Sequence, residues 1–192
     1  MAKLPVSYYL HDDVVHLAKD LLGKTLFTNF NNQLTGGIIT ETEAYAGITD
    51  KASHAYGDRR TKRTEIMYHQ GGKAYVYLCY GMYSLFNVVS NIEGTPHAIL
   101  IRAIKPAIGR DVIESRLQKT LSSDKITQGP GKLTKALGIH YSHSGISLLG
   151  ESIWIENNGI QLSEKQIQIS TRIGIAYAQE DALLPYRFLA LL

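Results

Sequence analysis

Three side chains in one short segment could share acid–base chemistry: Glu41, Glu43 and Tyr45. The segment reads as a strand, so these alternate residues lie on one face and Ile38, Thr40, Thr42 and Ala44 on the other. A carboxylate on a partly buried face must be paired or have its proton affinity perturbed, which is what a general base needs; on an exposed face it would only be solvated. Downstream, Tyr75 and Tyr77 repeat at the strand period, and Tyr80-Gly81-Met82-Tyr83 follows as a turn. An aromatic beside a turn glycine has no core to fill, so Tyr80 is a candidate contact residue, whereas Tyr75 and Tyr83 read as packing. Gly129-Pro130-Gly131-Lys132-Leu133 opens a helix and could offer backbone N–H groups and Lys132 to a phosphate, but it lacks the Gly-x-x-x-x-Gly-Lys spacing of a nucleotide triphosphatase. His54, His69, His97, His140 and His143 show no metal-ligand spacing, so no metal is expected. The single cysteine, Cys79, falls in an apolar strand pattern and is expected in the core.

Apolar periodicity supplies the elements that must hold these residues. Residues 11–22 form a helix with Asp12 or Asp13 as cap and Gly23 as stop. Residues 24–30 and 33–44 make a hairpin around Asn31-Asn32, with Gly36-Gly37 marking a bulge or a close backbone approach. Residues 45–73 are polar, with one short helical candidate at 64–69; a polar segment of that length in a compact domain is functional or disordered. Residues 74–80, 82–90 and 97–104 are central strands, the last ending at Pro106. Helices follow at 109–120 and from Gly129 to Leu137, then strands at 152–156, 166–171 and 172–176. Strands with interspersed helices and no regular βαβ alternation predict an α+β fold: a single domain over residues 1–192, with a curved, mostly antiparallel sheet and surrounding helices.

Composition narrows the class. With 192 residues, 44% hydrophobic and 19% charged, the chain can build one real core and is neither disordered nor collagen-like. It contains no run of 18 apolar residues, its first ten residues lack the apolar region of a secretory signal, and a lone cysteine agrees with a reducing compartment. The net charge is only +3, yet residues 51–135 hold 14 basic and 6 acidic residues, against 6 and 11 elsewhere. Such an asymmetry suits a polyanion held against one face, the alternative being a solvated surface with local ion pairs. Twelve tyrosines against four Phe and one Trp add flat stacking faces with polar tips.

Taken in order, Glu41-Thr42-Glu43-Ala44-Tyr45, Ala52-Ser53-His54, Tyr75-Val76-Tyr77 with Tyr80-Gly81-Met82, Leu100-Ile101-Arg102-Ala103 with Pro106, Gly129-Pro130-Gly131-Lys132-Leu133 and Arg172-Ile173-Gly174 resemble the alkyladenine (3-methyladenine) DNA glycosylase family over residues 10–188. The resemblance implies a monofunctional base-excision-repair enzyme that flips alkylated or deaminated purines out of duplex DNA. It would hydrolyse the N-glycosidic bond with an activated water, leave an abasic site, and need no metal or organic cofactor. It implies Glu43 as general base, with Arg102 and the backbone carbonyl of Ile173 holding the water. Tyr45 would stack on one face of the base and His54 and Tyr77 on the other; Asn87 would discriminate against guanine-type bases, and Tyr80 would fill the gap in the duplex. Arg59, Arg60, Lys62, Arg63 and the basic residues at 125–135, Lys132 among them, are the expected phosphate contacts.

The implied partner is double-stranded DNA carrying a damaged purine, met by a monomer in the cytoplasm, at the nucleoid when acting, with no membrane involved. Two departures from the family pattern stand out: Thr64 replaces an Asn common after Thr61-Lys62-Arg63, and the chain stops at Leu192 without an extension after Arg187-Phe188, which leaves the last strand open. Two other classes fit parts of the pattern. A non-catalytic nucleic-acid-binding module would use the basic middle and the tyrosines without Glu43, and a small-amide or formyl hydrolase would use the carboxylate, His54 and Asn87.

Overall fold

A computed structural model describes residues 2–122 and 124–191. Its strands are β1 (Ala2–Lys3), β2 (Thr25–Phe30), β3 (Gln33–Tyr45), β4 (Lys73–Cys79), β5 (Tyr83–Ser90), β6 (His97–Ile108), β7 (Ile153–Asn157), β8 (Ile167–Ser170) and β9 (Arg187–Ala190). All pair antiparallel in one curved sheet of order β1-β7-β2-β3-β6-β5-β4, with β8 and β9 attached at the second half of β3. The helices are α1 (Val6–Tyr9), α2 (Val14–Asp20), α3 (Arg110–Leu117) and α4 (Pro130–Leu137). The expected α+β class and curved antiparallel sheet are what the chain adopts.

Local chemistry explains most of these boundaries. Asp13 caps α2, its carboxylate accepting from the Val15 and His16 N–H groups at 2.9 Å. Asn31 and Asn32, at φ 53° and 60°, form the two-residue turn that fits the twist of the β2–β3 hairpin. Pro130 starts α4 and Gly138 ends it in the left-handed conformation. A Cβ at Gly37 would lie 2.9 Å from the Lys105 carbonyl, so the close approach expected at Gly36-Gly37 is real, and the β3–β6 register shifts there. That shift also lets β6 run through Pro106 rather than end at it, since a bulge tolerates a residue with no N–H.

A second pair of irregularities corrects the expected face assignment. Thr40 on β3 and Arg102 on β6 are each skipped in the pairing of the two strands. Each skip reverses side-chain alternation, so Ile39, not Ile38 or Thr40, joins Thr42 and Ala44 on the core side. The core lies between this side of the sheet and helices α2, α3 and α4, with Phe86, Ile99, Ile101, Ile104, Leu133 and Leu137 fully buried. Residues of that size contribute about 1.5–3 kcal/mol each on burial.

The opposite face of the sheet carries the long polar segment. Residues 46–72 are ordered by three 3₁₀ turns, Gly47–Thr49, Tyr56–Asp58 and Glu65–Tyr68, over a small cluster of Ala55, Met67, Tyr68, Tyr75, Val89 and Ala98. Thr64, buried, closes this segment: its hydroxyl accepts from the Thr61 N–H at 2.8 Å and donates to the Arg59 carbonyl at 2.9 Å. Two strand expectations change. Residues 172–175 form a loop with Ala176 starting a 3₁₀ segment, and the last strand, left open above, exists as β9, bonded to both β3 and β8.

Candidate active site

Glu43 lies on the face of β3 that turns away from the core, and it is completely buried. Three donors converge on its carboxylate: the Tyr45 hydroxyl on Oε2 at 2.9 Å, Arg102 Nη1 on Oε2 at 3.3 Å, and the Ile173 N–H on Oε1 at 2.8 Å. Burial raises its proton affinity, and the neighbouring Glu41 charge adds to this; Arg102, the Ile173 N–H and the Tyr45 hydroxyl pull the other way without cancelling it. The Ile173 backbone thus reaches the carboxylate through its N–H.

Three residues to which no role was assigned, Arg172, Asp50 and Glu41, build this arrangement. Arg172 forms a buried, bidentate pair with Asp50 (2.5 and 2.9 Å), donates to the carbonyls of Ala44 and Asp181, and lies 4.9 Å from the centre of the Tyr45 ring. This pins the 172–175 loop against the end of β3 and thereby delivers the Ile173 N–H. Glu41 Oε1 accepts from Arg102 Nε at 2.9 Å, which anchors the guanidinium that reaches Glu43. Arg172 stood in a recognisable motif; Asp50, 122 positions away, gave no signal of its own.

Above Glu43 is a cavity of about 370 Å³. Tyr45, His54, Tyr77, Tyr80, Asn87, Arg102 and Ile173 all line it, so seven of the candidate site residues meet at one place while Glu43 sits beneath their floor. The His54 ring packs edge-on against Tyr77 with centroids 4.6 Å apart, and its Nδ1 is 2.7 Å from the Tyr75 hydroxyl. Burial, reinforced by the Arg63 and Arg59 cations, lowers the His54 pKa to about 4, so the ring is neutral at physiological pH. Asn87, buried on β5, donates Nδ2 to the Tyr75 and Leu85 carbonyls; because a carbonyl only accepts, this fixes Oδ1 as the free end of the amide. Cys79 is a correction: it is half-buried and lines the cavity instead of the core.

The cations divide around the β4–β5 hairpin. Arg59, Lys62 and Arg63 are exposed on the long polar segment, but Arg60 is held by Glu65 through two bonds, of 2.8 and 2.6 Å, and stacks on Tyr68. Lys132 stands on the other side of the hairpin, in a larger groove of about 550 Å³ with Lys119, Lys135, Met82 and Tyr83. That groove has greater volume, but the three residues that donate to Glu43 all line the smaller cavity and none of them lines the groove. The side chain of Lys125 lies outside the described residues. No group of three His, Cys, Asp or Glu among the described residues is arranged to hold a metal, and no described helix is long and apolar enough to cross a membrane.

Residues 8–191 match the family described as methylpurine-DNA glycosylase. The chain belongs to that family. Proteins named "Putative 3-methyladenine DNA glycosylase" are similar over almost their whole length: one from Chlamydia felis is 48% identical over 187 residues, covering 97% of this chain and 95% of that protein. One from Chlamydia pneumoniae is 44% identical over 187 residues, covering 97% and 94%, and one from Bacillus cereus is 44% identical over 192, covering 96% and 93%.

Proposed function

We propose that this methylpurine-DNA glycosylase flips an alkylated purine out of duplex DNA into the aromatic cavity and hydrolyses its N-glycosidic bond with water activated by Glu43. The observation that carries this reading is one buried carboxylate with raised proton affinity whose three donors, Tyr45, Arg102 and Ile173, all line a cavity that His54 and Tyr77 also wall. A stacked base cannot reach such a cavity, so extrusion is required and costs a few kcal/mol, least for damaged pairs. Electron-rich tyrosine faces favour a purine made cationic by alkylation by about 0.5–2 kcal/mol. The same alkylation weakens the glycosidic bond, so damaged bases are selected in both binding and chemistry.

As the bond lengthens, the sugar acquires positive charge, which anionic Glu43 stabilises while it takes the proton of the attacking water. Because Glu43 is sealed by three donors, water enters by replacing one of them. The Arg102 contact, longest at 3.3 Å, is the cheapest to replace, and this leaves Arg102 as the water's second partner. The free Oδ1 of Asn87 accepts from, and so sorts, the purine edge presented to it. Tyr80 takes the vacated place in the duplex. Lys132 lies across the hairpin in the other groove and no lysine lines the cavity among the described residues, which supports hydrolysis without a Schiff base.

The test is incubation with duplexes that each carry one lesion, followed by detection of abasic sites. Alkylated purines should be released by the wild type, and Glu43→Gln should bind the lesion duplex but release nothing, because the amide keeps the shape and loses the basicity. Near-normal single-turnover excision by Glu43→Gln would remove Glu43 from the role of base.

A further inference from the structure

The proposed chemistry uses Glu43 and Arg102, yet two further charges are built into the same cluster. Glu41 is buried, and its Oε1 accepts from Arg102 Nε at 2.9 Å and from Arg187 Nε at 2.6 Å. Arg187, the first residue of β9, also donates Nη1 to Ser170 Oγ on β8 at 3.2 Å. The result is a chain of alternating charge, Arg187–Glu41–Arg102–Glu43, running from the last strand of the sheet to the candidate base. We propose that Glu41 and Arg187 are positioning residues for excision, with Glu41 holding the Arg102 guanidinium at the edge of Glu43 and Arg187 keeping Glu41 in place.

The geometry assigns a distinct task to each bond. Arg102 commits Nε to Glu41 and Nη1 to Glu43, donors on different edges of the guanidinium, so one planar group bridges the two carboxylates while the side chain lines the cavity. If Glu41 were neutral, Arg102 would be free to turn a two-donor edge of its guanidinium onto Glu43, which would quench the base and withdraw the group that holds the water. If Arg187 were neutral, Glu41 would compete with Glu43 for Arg102. The skipped residues in the β3–β6 pairing serve this arrangement, because Arg102 is itself one of them and reaches both carboxylates from that position.

Among the described residues, the charged or titratable groups that face Glu43 are Glu41 and Tyr45 from β3, Arg102 from β6, Arg172 from the loop that also supplies the Ile173 N–H, Tyr177 from the 3₁₀ segment after that loop, Tyr77 from β4, and Arg187 through Glu41. Of these, Glu41 is the one named group that raises the Glu43 proton affinity alongside burial. Removing its charge should therefore move the acid limb of the pH–rate profile to lower pH.

This inference rests on the glycosylase reading, and the experiment separates the two. Single-turnover excision of one alkylpurine, its pH profile, lesion-duplex affinity and melting temperature are measured for the wild type, Glu41→Gln, Arg187→Gln and Arg187→Lys. Expected are a loss of tenfold or more in rate for Glu41→Gln with affinity within threefold of wild type and an acid limb shifted down. Arg187→Gln should lose rate in the same way and Arg187→Lys should recover most of it, since a lysine still neutralises Glu41. If Glu41→Gln does not fold, the Arg187 pair decides alone: equal rates and equal acid limbs in the two Arg187 variants overturn the proposal. So does a folded Glu41→Gln with unchanged rate, or one whose rate falls only with its melting temperature while the acid limb stays fixed. A wild type that releases no alkylpurine would instead overturn the functional reading.

Discussion

His54 shows how one side chain links the fold to pH. Its pKa is lowered to about 4 by burial and then by Arg63 and Arg59, against about 6.5 in the unfolded chain. The native state therefore binds the proton less readily. The associated stability is complete above pH ~6.5 and is lost as pH falls towards 4, an effect of at most ~3 kcal/mol. Melting temperatures of wild type and His54→Gln between pH 7 and 4 should converge on acidification, because the variant has no imidazole to titrate; parallel curves would show that His54 is solvated. The residue scale is also where sequence patterns carried furthest. Tyr45, Tyr77, Asn87 and Arg102 line one cavity and Glu43 accepts from two of them; alternation had paired Glu43 with Tyr45, and the order of the motifs had brought in Asn87 and Arg102. Asp50 escaped notice because its meaning lies wholly in a partner 122 residues away, and Cys79 was misplaced because an apolar strand does not reveal which face opens onto a cavity.

At the scale of elements, the β4–β5 hairpin and the second half of β3 make different demands. Tyr80 is 88% exposed and adopts φ 51° at the hairpin tip, a conformation that costs a bulky residue about 1–2 kcal/mol. Strain of that kind on an exposed side chain supports the proposed role of Tyr80 as a contact with the duplex. Tyr80→Ala should impair excision of a paired lesion, where base–aromatic stacking is worth ~1–3 kcal/mol, and matter much less for a lesion in a bulge. Tyr77→Ala, at the cavity wall, should lose the same factor on both substrates. Equal losses for Tyr80→Ala on paired and bulged lesions would return Tyr80 to an ordinary turn residue. Helix α4 was legible from end to end because Pro130 and Gly138 are local signals. The alternation of β3 was not, since a strand's sequence does not announce the skipped Thr40, and β9 was not, since its existence depends on pairing with a strand nearly 150 residues earlier. Gly37→Ala tests the close approach: overpacking against the Lys105 carbonyl should cost about 1–3 kcal/mol in urea melts.

At the scale of the whole molecule, the excess of basic residues in the middle of the chain resolves into two exposed groups on either side of the hairpin. Arg59, Lys62 and Arg63 stand on one side and Lys119, Lys132 and Lys135 on the other, while Arg60 is neutralised by Glu65. On the proposed function, a duplex presenting its damaged base to the cavity would run past both groups, because Tyr80 lines the cavity and Met82 and Tyr83 line the neighbouring groove. Each neutralised phosphate contributes about −0.9 to the slope of log affinity against log salt, so these six cations predict a slope of roughly −5. Phosphate contacts carry no sequence information, so undamaged duplex should show the same slope at lower affinity. Lys62→Gln combined with Arg63→Gln should flatten it by about 2, whereas Arg60→Gln should leave it almost unchanged, since that guanidinium already has its carboxylate. Fluorescence anisotropy of a labelled duplex across a salt series reads both. A slope that responds to Arg60→Gln as strongly as to the Lys62 and Arg63 pair would mean that DNA displaces Glu65 and draws on every cation of the segment.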